Sequence, residues 1–235
     1  MGFATATLLL SRGSHLAVCD VNEDGLAALV DGIDPAQRTR VVTRRVDITD
    51  RAAVRSFLQS AKDIFGRVDG IANLAGTAGH RLGHEEIWQI DEAEYQFIMD
   101  VNVKGVFNLL SEALHPGVLH EQGSFVHAAS MFADRGFAKG SVYSGSKHAG
   151  IGLIKSAAIE AGKRGIRINV VTPGPIDTPM LRANEESGAK GTAPAVPLGR
   201  LGEASEVANV VAFLLSDDAR YVTGATWAVD GGANA

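Results

Sequence analysis

The chain predicts an α/β fold: a parallel, doubly wound sheet with helices on both faces. Three observations carry that prediction. Short apolar runs bounded by turn residues recur at 15–20, 41–46, 68–74, 124–129, 166–171 and 225–229, and each has the length of a strand. Stretches of helical period separate them, at 23–31, 51–65, roughly 91–114, from Tyr143 to about Lys163, and 203–215. Alternation of the two makes each connection a crossover between parallel strands, which is right-handed.

Taken in order, residues 2–12 read as a helix with Phe3, Ala6, Leu9 and Leu10 on one face and Gly13 as its stop. The run 15–20 is a buried strand that ends in an acid, Asp20. Thr49 or Asp50 caps the helix over 51–65. The strand at 68–74 runs into Ala75-Gly76-Thr77-Ala78-Gly79, and that at 124–129 arrives at Ser130. Pro173-Gly174-Pro175 closes the strand at 166–171, a loop and short helix fill 176–200, and Asp230-Gly231-Gly232 follows the last strand. The 235 residues suit one domain, 1–235, with no repeat or low-complexity segment.

Composition narrows the function. A net charge of −5 and the lack of a basic stripe argue against a nucleic-acid partner. No apolar run is as long as a membrane span. The start, MGFATATLLLSRG, lacks the basic region of a signal peptide and has Ala6 where a myristoylation site wants Ser or Thr. A single cysteine, Cys19, permits neither an intrachain disulfide nor a thiolate zinc cage. The expectation is a cytoplasmic protein.

The chemistry concentrates in SMFADRGFAKGSVYSGSK, residues 130–147. Tyr143 and Lys147 are four apart, one helical turn, so phenol and ammonium share a helix face. A nearby ammonium stabilises a phenolate and is expected to lower the tyrosine pKa. The Ser130 hydroxyl can hydrogen-bond the same substrate oxygen that the phenol serves, which makes a proton-transfer site for a carbonyl–alcohol couple. On its own the Tyr–Lys spacing describes many exposed neighbour pairs.

Further pieces give the spacing its context: Asn73-Leu74-Ala75-Gly76, Asn102 in MDVNVKG, PGPIDT at 173–178, and the tail PLGRLGEASEVANVVAFLLSD…VTGATWAVDGG. With Ser130, Tyr143 and Lys147 they resemble the short-chain dehydrogenase/reductase family, in this order and across nearly the whole chain. The resemblance implies a Rossmann-like fold and an NAD(P)-dependent oxidoreductase that interconverts a secondary alcohol and a ketone. Tyr143 would be the general acid/base, Ser130 would orient the substrate oxygen, and Lys147 would tune the phenol and hold the nicotinamide ribose. Asn102 would hold a water that links the lysine to solvent, and is also read as a helix-kinking Asn bonded to local backbone. Cofactor contacts would come from Gly2, Asp20, Asp47, Ile48, Asn73, Ala75, Gly76, Tyr143, Lys147, Pro173, Gly174, Ile176 and Thr178. Asp20, with no Arg after it, points to NAD in preference to NADP; as a turn residue in DVNED it also has a local reading. Family members commonly pair through the helices after Asn102 and after Tyr143, so a homodimer or homotetramer is expected.

One departure from the family stands out. Its members begin with a strand and a T-G-x-x-x-G-x-G loop, whereas Met1-Gly2 aligns with the last x-G of that loop. The family's first strand lies at the centre of its sheet, so the expected fold lacks that strand, and the strands at 15–20 and 68–74 flank the gap. Unpaired buried backbone groups cost roughly 1–3 kcal/mol each. Three outcomes are therefore open: a start at an internal methionine, closure of the flanking strands, or a segment of a partner chain in the slot. The first is expected, because the catalytic positions and Asp20 are intact. The alternative function is a cofactor-blind relative that acts as a regulatory or partner subunit.

Weaker signals carry less. His80 and His84 with Glu85-Glu86 suggest a metal site but sit in a polar, lid-like stretch, and no metal is assigned. Glu185-Glu186 reads as surface charge in a loop, within a segment (177–197) that covers the substrate in the family. Phe132 and Phe137 line a pocket or pack in the core, and Tyr221 and Trp227 read as core or subunit contact.

Overall fold

A computed structural model describes residues 1–189 and 195–235. Residues 190–194, within the expected substrate-covering segment, lie outside the described residues. The chain runs α1 (Gly2–Ser11), β1 (Leu16–Asp20), α2 (Glu23–Asp31), β2 (Val41–Arg45), α3 (Arg51–Phe65), β3 (Val68–Asn73), α4 (Glu92–Met99), α5 (Gly105–Ala113), β4 (Leu119–Ala128), α6 (Ser141–Ala161), β5 (Arg167–Pro173), α7 (Pro179–Glu186), α8 (Ala204–Leu215) and β6 (Thr226–Val229). Asp50, one of the two expected caps, accepts from Ala52 and Ala53 N–H at the start of α3. Gly66, at φ 83°, ends that helix in the left-handed region open to glycine.

All strand pairs are parallel, in two sheets: β1–β2, and β3–β4–β5–β6. Helices cover both faces. On one, Val54 and Phe57 of α3, Val106 and Leu110 of α5, and Ile151 and Ile154 of α6 pack against Phe125 and Ile168. On the other, Val207, Val211 and Leu214 of α8 pack against Val126 and Val171. This is the Rossmann-like, doubly wound arrangement, without the central strand.

Among the described residues no ladder hydrogen bonds join β1 to β3. The flanking strands have not closed up. Their inner edges show it: Leu16, Ala17, Val18 and Cys19 are only half-buried, and Asp69 and Gly70 are exposed, whereas every residue of β5 is buried. Side chains hold the sheets together instead. Ala17, Cys19 and Ile71 pack against the same core cluster, and Met1 and Leu74 join the cluster on the opposite face.

Several local expectations need correction. The buried stripe of α1 runs through Thr5, Ala6 and Leu10, and Phe3 is 54% exposed at the rim. The helix expected over 91–114 is interrupted at Asp100–Lys104 by a π-turn, closed by Gly105 N–H on the Asp100 carbonyl. Glu185 and Glu186 end α7 rather than sitting in a loop. Tyr221 is fully exposed, so it is not core. Trp227 does pack, on Phe213, with ring centroids 5.4 Å apart.

A carboxylate locks α3 to α5. Glu112, 4% exposed, accepts from Arg51 Nε at 2.6 Å and from Arg55 Nε at 2.8 Å. These bonds, Arg55 first and then Arg51, hold its carboxyl down to about 2 from an ordinary 4.5. A depressed carboxyl pKa stabilises the fold above its unfolded value, and the contribution is lost as pH falls through the folded value. The melting-temperature gap between wild type and Glu112→Gln is therefore expected to be constant above about pH 5 and to shrink toward pH 2, as read by thermal denaturation across pH. The split sheet has its own signature. Peptides from β1 and β3 should exchange amide hydrogens at least about tenfold faster than peptides from β4 and β5 in hydrogen-exchange mass spectrometry.

Candidate active site

Because the strands of the larger sheet are parallel, Asn73, Ala128 and Pro173 end β3, β4 and β5 at one edge, where open α/β sheets take ligands, and Asp20 ends β1 of the smaller sheet. Ser130 lies two residues beyond β4. Its Oγ accepts from Phe132 N–H at 3.2 Å. The chain's tail braces this loop: Asn234 Nδ2 donates to the Met131 carbonyl at 2.8 Å, and Arg135 donates to the Ala233 carbonyl at 3.1 Å. Asp230 in turn accepts from Gly232 and Asn234 N–H.

Tyr143 and Lys147 lie on α6, one turn apart as expected. Lys147 is 5% exposed, and its Nζ sits 5.6 Å from the centroid of the Tyr143 ring. The expected fall in the Tyr143 pKa is not found. Tyr143 is half-buried, and burial raises its pKa; a hydrogen bond with Ser130 offsets part of the rise. The ammonium lies over the ring rather than at the oxygen. Burial also brings Lys147 down to about 8, which leaves it mostly charged at neutral pH.

Asn102 sits in the π-turn and reaches across to the strand–loop junction. Its Oδ1 accepts from Thr77 N–H at 2.9 Å, and its Nδ2 donates to the Thr77 carbonyl at 2.8 Å and to Ser146 Oγ at 3.0 Å. Ser146, fully buried, donates to the Tyr143 carbonyl at 2.7 Å. Sequence reading missed Ser146 and Thr77; the only available signal was Ser146 at three residues after Tyr143, facing Lys147's side of the helix.

The remaining expected positions divide. Asn73 is buried, and its Oδ1 accepts from Ala75 N–H at 3.2 Å. Gly76 lies against the catalytic cluster: a Cβ there would be 2.9 Å from Lys147 Nζ and 3.2 Å from Asn102 Oδ1. Asp20 is exposed and accepts from Asn22 N–H at 3.0 Å, so its local turn role is real and leaves the carboxylate open to solvent. Asp47 is exposed and bonds Thr49 N–H, whereas the Ile48 side chain is buried against Gly105 and offers no open face. Asn108, also missed, donates to the Ile48 and Thr49 carbonyls and fixes that turn. Thr178 caps α7, accepting from Leu181 N–H, and Ile176 bridges to Gly202. Gly174 is structurally required beside Pro173, because a Cβ there would lie 2.6 Å from the Asp230 Cα. Gly2 begins α1, whose N-cap Met1 makes no side-chain cap bond, so the helix-end N–H groups are open to an anion.

Beside Tyr143 is a small open cleft, with a cavity volume of ≈ 20 Å³, lined by Ala78, Arg81, Leu82, Ile90, Glu94, Ile98, Lys139 and Val142. Phe132 stacks on Phe137 at 4.6 Å and meets Tyr143 edge-on at 6.5 Å, so the aromatic pair backs the phenol. His80 is not paired with His84. Its Nδ1 lies 2.7 Å from Glu94 Oε2, while His84 Nε2 is 3.1 Å from Ser187 Oγ.

The Gly76 geometry yields a test. Gly76→Ala should displace the lysine head and lower kcat/KM by at least about tenfold, while Tm moves only a few degrees, because the atom struck first is the end of a flexible side chain. Steady-state kinetics and a thermal melt on the same preparation check both halves.

Residues 1–234 match a family profile described as Enoyl-(Acyl carrier protein) reductase. The short-chain dehydrogenase/reductase aba4 of Botryotinia fuckeliana is 41% identical over 238 residues, covering 99% of this chain and 92% of that protein. A crystal structure of levodione reductase is 35% identical, with a TM-score of 0.87, and the match covers 98% of this chain and 92% of that one. A blue fluorescent protein from a metagenomic library, solved in complex with NADPH, is 32% identical with a TM-score of 0.85, covering 99% and 92% of the two chains. A profile match over almost the full length and relatives at this identity establish the family: the chain belongs to the short-chain dehydrogenases/reductases.

Proposed function

We propose that the protein is an NAD(P)-dependent oxidoreductase that interconverts a secondary alcohol and a ketone, with Tyr143 as general acid/base. The observation that carries this is the convergence of Ser130, Tyr143, Lys147 and Asn102 at the carboxyl edge of the sheet, beside an apolar cleft. The residues present fit a dinucleotide. The open N–H groups of α1 suit a pyrophosphate, the exposed Asp20 carboxylate suits a ribose diol, and a Cβ at Gly76 would fill the cradle beside Lys147. The dinucleotide supplies the hydride acceptor or donor. The side chain at Asp20 supports NAD in preference to NADP; the NADPH held by a solved relative leaves both open to direct measurement.

The chain's own residues manage the proton. In reduction the Tyr143 hydroxyl donates to the developing alkoxide, and in oxidation the phenolate accepts from the alcohol. Phe132 N–H occupies a lone pair of Ser130 Oγ, and the hydrogen bond between Ser130 and Tyr143 keeps the serine hydroxyl beside the phenol, where both can serve the same substrate oxygen. Burial holds the resting phenol protonated, which suits its role as the acid of ketone reduction. Lys147 places a positive charge beside the ring where phenolate charge develops. Asn102 fixes the π-turn to Thr77 and Ser146, and so sets the height of Tyr143 against the strand ends. Leu82, Ile90, Ile98 and Val142 favour a compact apolar ketone. Phe107, 47% exposed on α5, and Ile159, 83% exposed on α6, support a homodimer or homotetramer.

The unpaired edges of β1 and β3 favour one rival, a relative that binds no cofactor and serves as a regulatory or partner subunit. Calorimetry with NADH and NADPH separates the two. The oxidoreductase reading expects saturable binding of NADH by wild type and by Tyr143→Phe alike, with turnover of a cyclic or secondary ketone lowered about 10²–10⁴-fold in the variant. Absence of binding of either dinucleotide overturns it in favour of the rival.

A further inference from the structure

Strand β4 carries a titratable side chain that the chemistry above leaves unused. His127 is 1% exposed, three residues before Ser130. It stands opposite Asn73 in the β3–β4 register, so imidazole and carboxamide lie side by side on one face of the sheet. Donor and acceptor roles turn on the carboxamide. Asn73 Oδ1 accepts from Ala75 N–H at 3.2 Å, which turns the amide nitrogen toward the ring, 3.3 Å from His127 Nδ1. In this orientation the amide donates, Nδ1 accepts and the ring proton sits on Nε2; the competing arrangement has the ring donate to the Asn73 backbone, with the proton on Nδ1. Nε2 is buried without a hydrogen-bond partner and faces α6, where a Cβ on Gly150 would lie 3.1 Å from it. Burial, reinforced by the charge of Lys147, lowers the imidazole pKa to about 3, so the acceptor persists at working pH.

We propose that His127 is a positioning residue for the reaction: its Nδ1 fixes the Asn73 carboxamide, and through it the 75–77 turn, against the helix that carries Tyr143 and Lys147. The turn has consequence because Gly76 touches Lys147 and Thr77 is gripped by Asn102. Without the acceptor, Asn73 Nδ2 loses the hydrogen bond to the ring, the carboxamide is held by the Ala75 N–H alone, and the turn is anchored more weakly. The proposal's kinetic arm rests on the oxidoreductase reading above, and its structural arm does not.

Two variants separate an acceptor role from simple packing. His127→Asn keeps an oxygen near the position of Nδ1, and His127→Leu fills the space with no acceptor. In cofactor-free protein, ¹⁵N spectra of the wild-type imidazole should show a bare Nδ1 and a protonated Nε2, unchanged from about pH 5 to 9. Amide exchange at Ala75 should quicken about tenfold in His127→Leu, the weight of one buried hydrogen bond, and stay within about threefold of wild type in His127→Asn. With dinucleotide and ketone, KM for the dinucleotide should rise by a similar factor in the Leu variant, with kcat changed less than about twofold and the Asn variant rescued. A proton on Nδ1, or equal Ala75 exchange in the two variants, overturns the proposal. If wild type binds no dinucleotide, the oxidoreductase reading fails, while the spectra and the exchange rates still decide the role of His127.

Discussion

Both ends of one carboxamide hold this molecule's chemistry together. Asn102 takes the N–H and the carbonyl of Thr77 at once, and adds a bond to Ser146. The residue it grips follows β3, the residue that carries it belongs to the helical segment between α4 and α5, and the hydroxyl it touches belongs to α6. Three elements that approach the sheet from different directions are thereby referred to one point. Lys147 and Gly76 meet at that point, within a distance that leaves no room for an added methyl. A buried polar network of this kind is valuable only when every member is satisfied, and Asn102 uses both of its polar ends.

This also explains what the sequence could and could not disclose. Elements decided by local chemistry were legible: a cap at Thr49 or Asp50 before α3, and the four-residue step that puts Tyr143 and Lys147 on one face. The π-turn was not. Apolar residues continue through 98, 101, 103 and 106 as though one helix ran on, and Asn is a mild presence in any helix. Its cause is a hydrogen bond to a residue 25 positions earlier, which periodicity does not register. Phe3 misled for a similar reason. A helical wheel identifies an apolar side but not which part of it the neighbouring helix covers, and Phe3 falls at the uncovered rim.

The candidate site divides along the same line. Residue types and spacing picked out the proposed cluster of Ser130, Tyr143, Lys147 and Asn102, but not the sign of its electrostatics. A tyrosine and a lysine one turn apart suggest an activated phenolate; enclosure of both reverses the direction for the tyrosine and weakens the charge on the lysine. Desolvation depends on atoms contributed by distant segments, including the loop braced by the tail at 230–235. His127 was passed over because a lone histidine in a strand carries no motif. Its interest arises only from its register with Asn73 and from the glycine that faces it.

The two-part sheet has a thermodynamic corollary. The half with β1 and β2 carries the acid proposed for the ribose, and the half with β3 to β6 carries the residues proposed to move the proton, and among the described residues no strand pairing bridges them. If such halves moved against one another, the competent alignment would be one population among several. A dinucleotide that spans both would have to select that population, and its apparent affinity would be reduced by the fraction of time the halves are aligned. By the same linkage, saturation would tie the halves into one cooperative unit, so that two unfolding steps would merge into one. In a chain built this way, the ligand contributes to the integrity of the fold as well as to its chemistry.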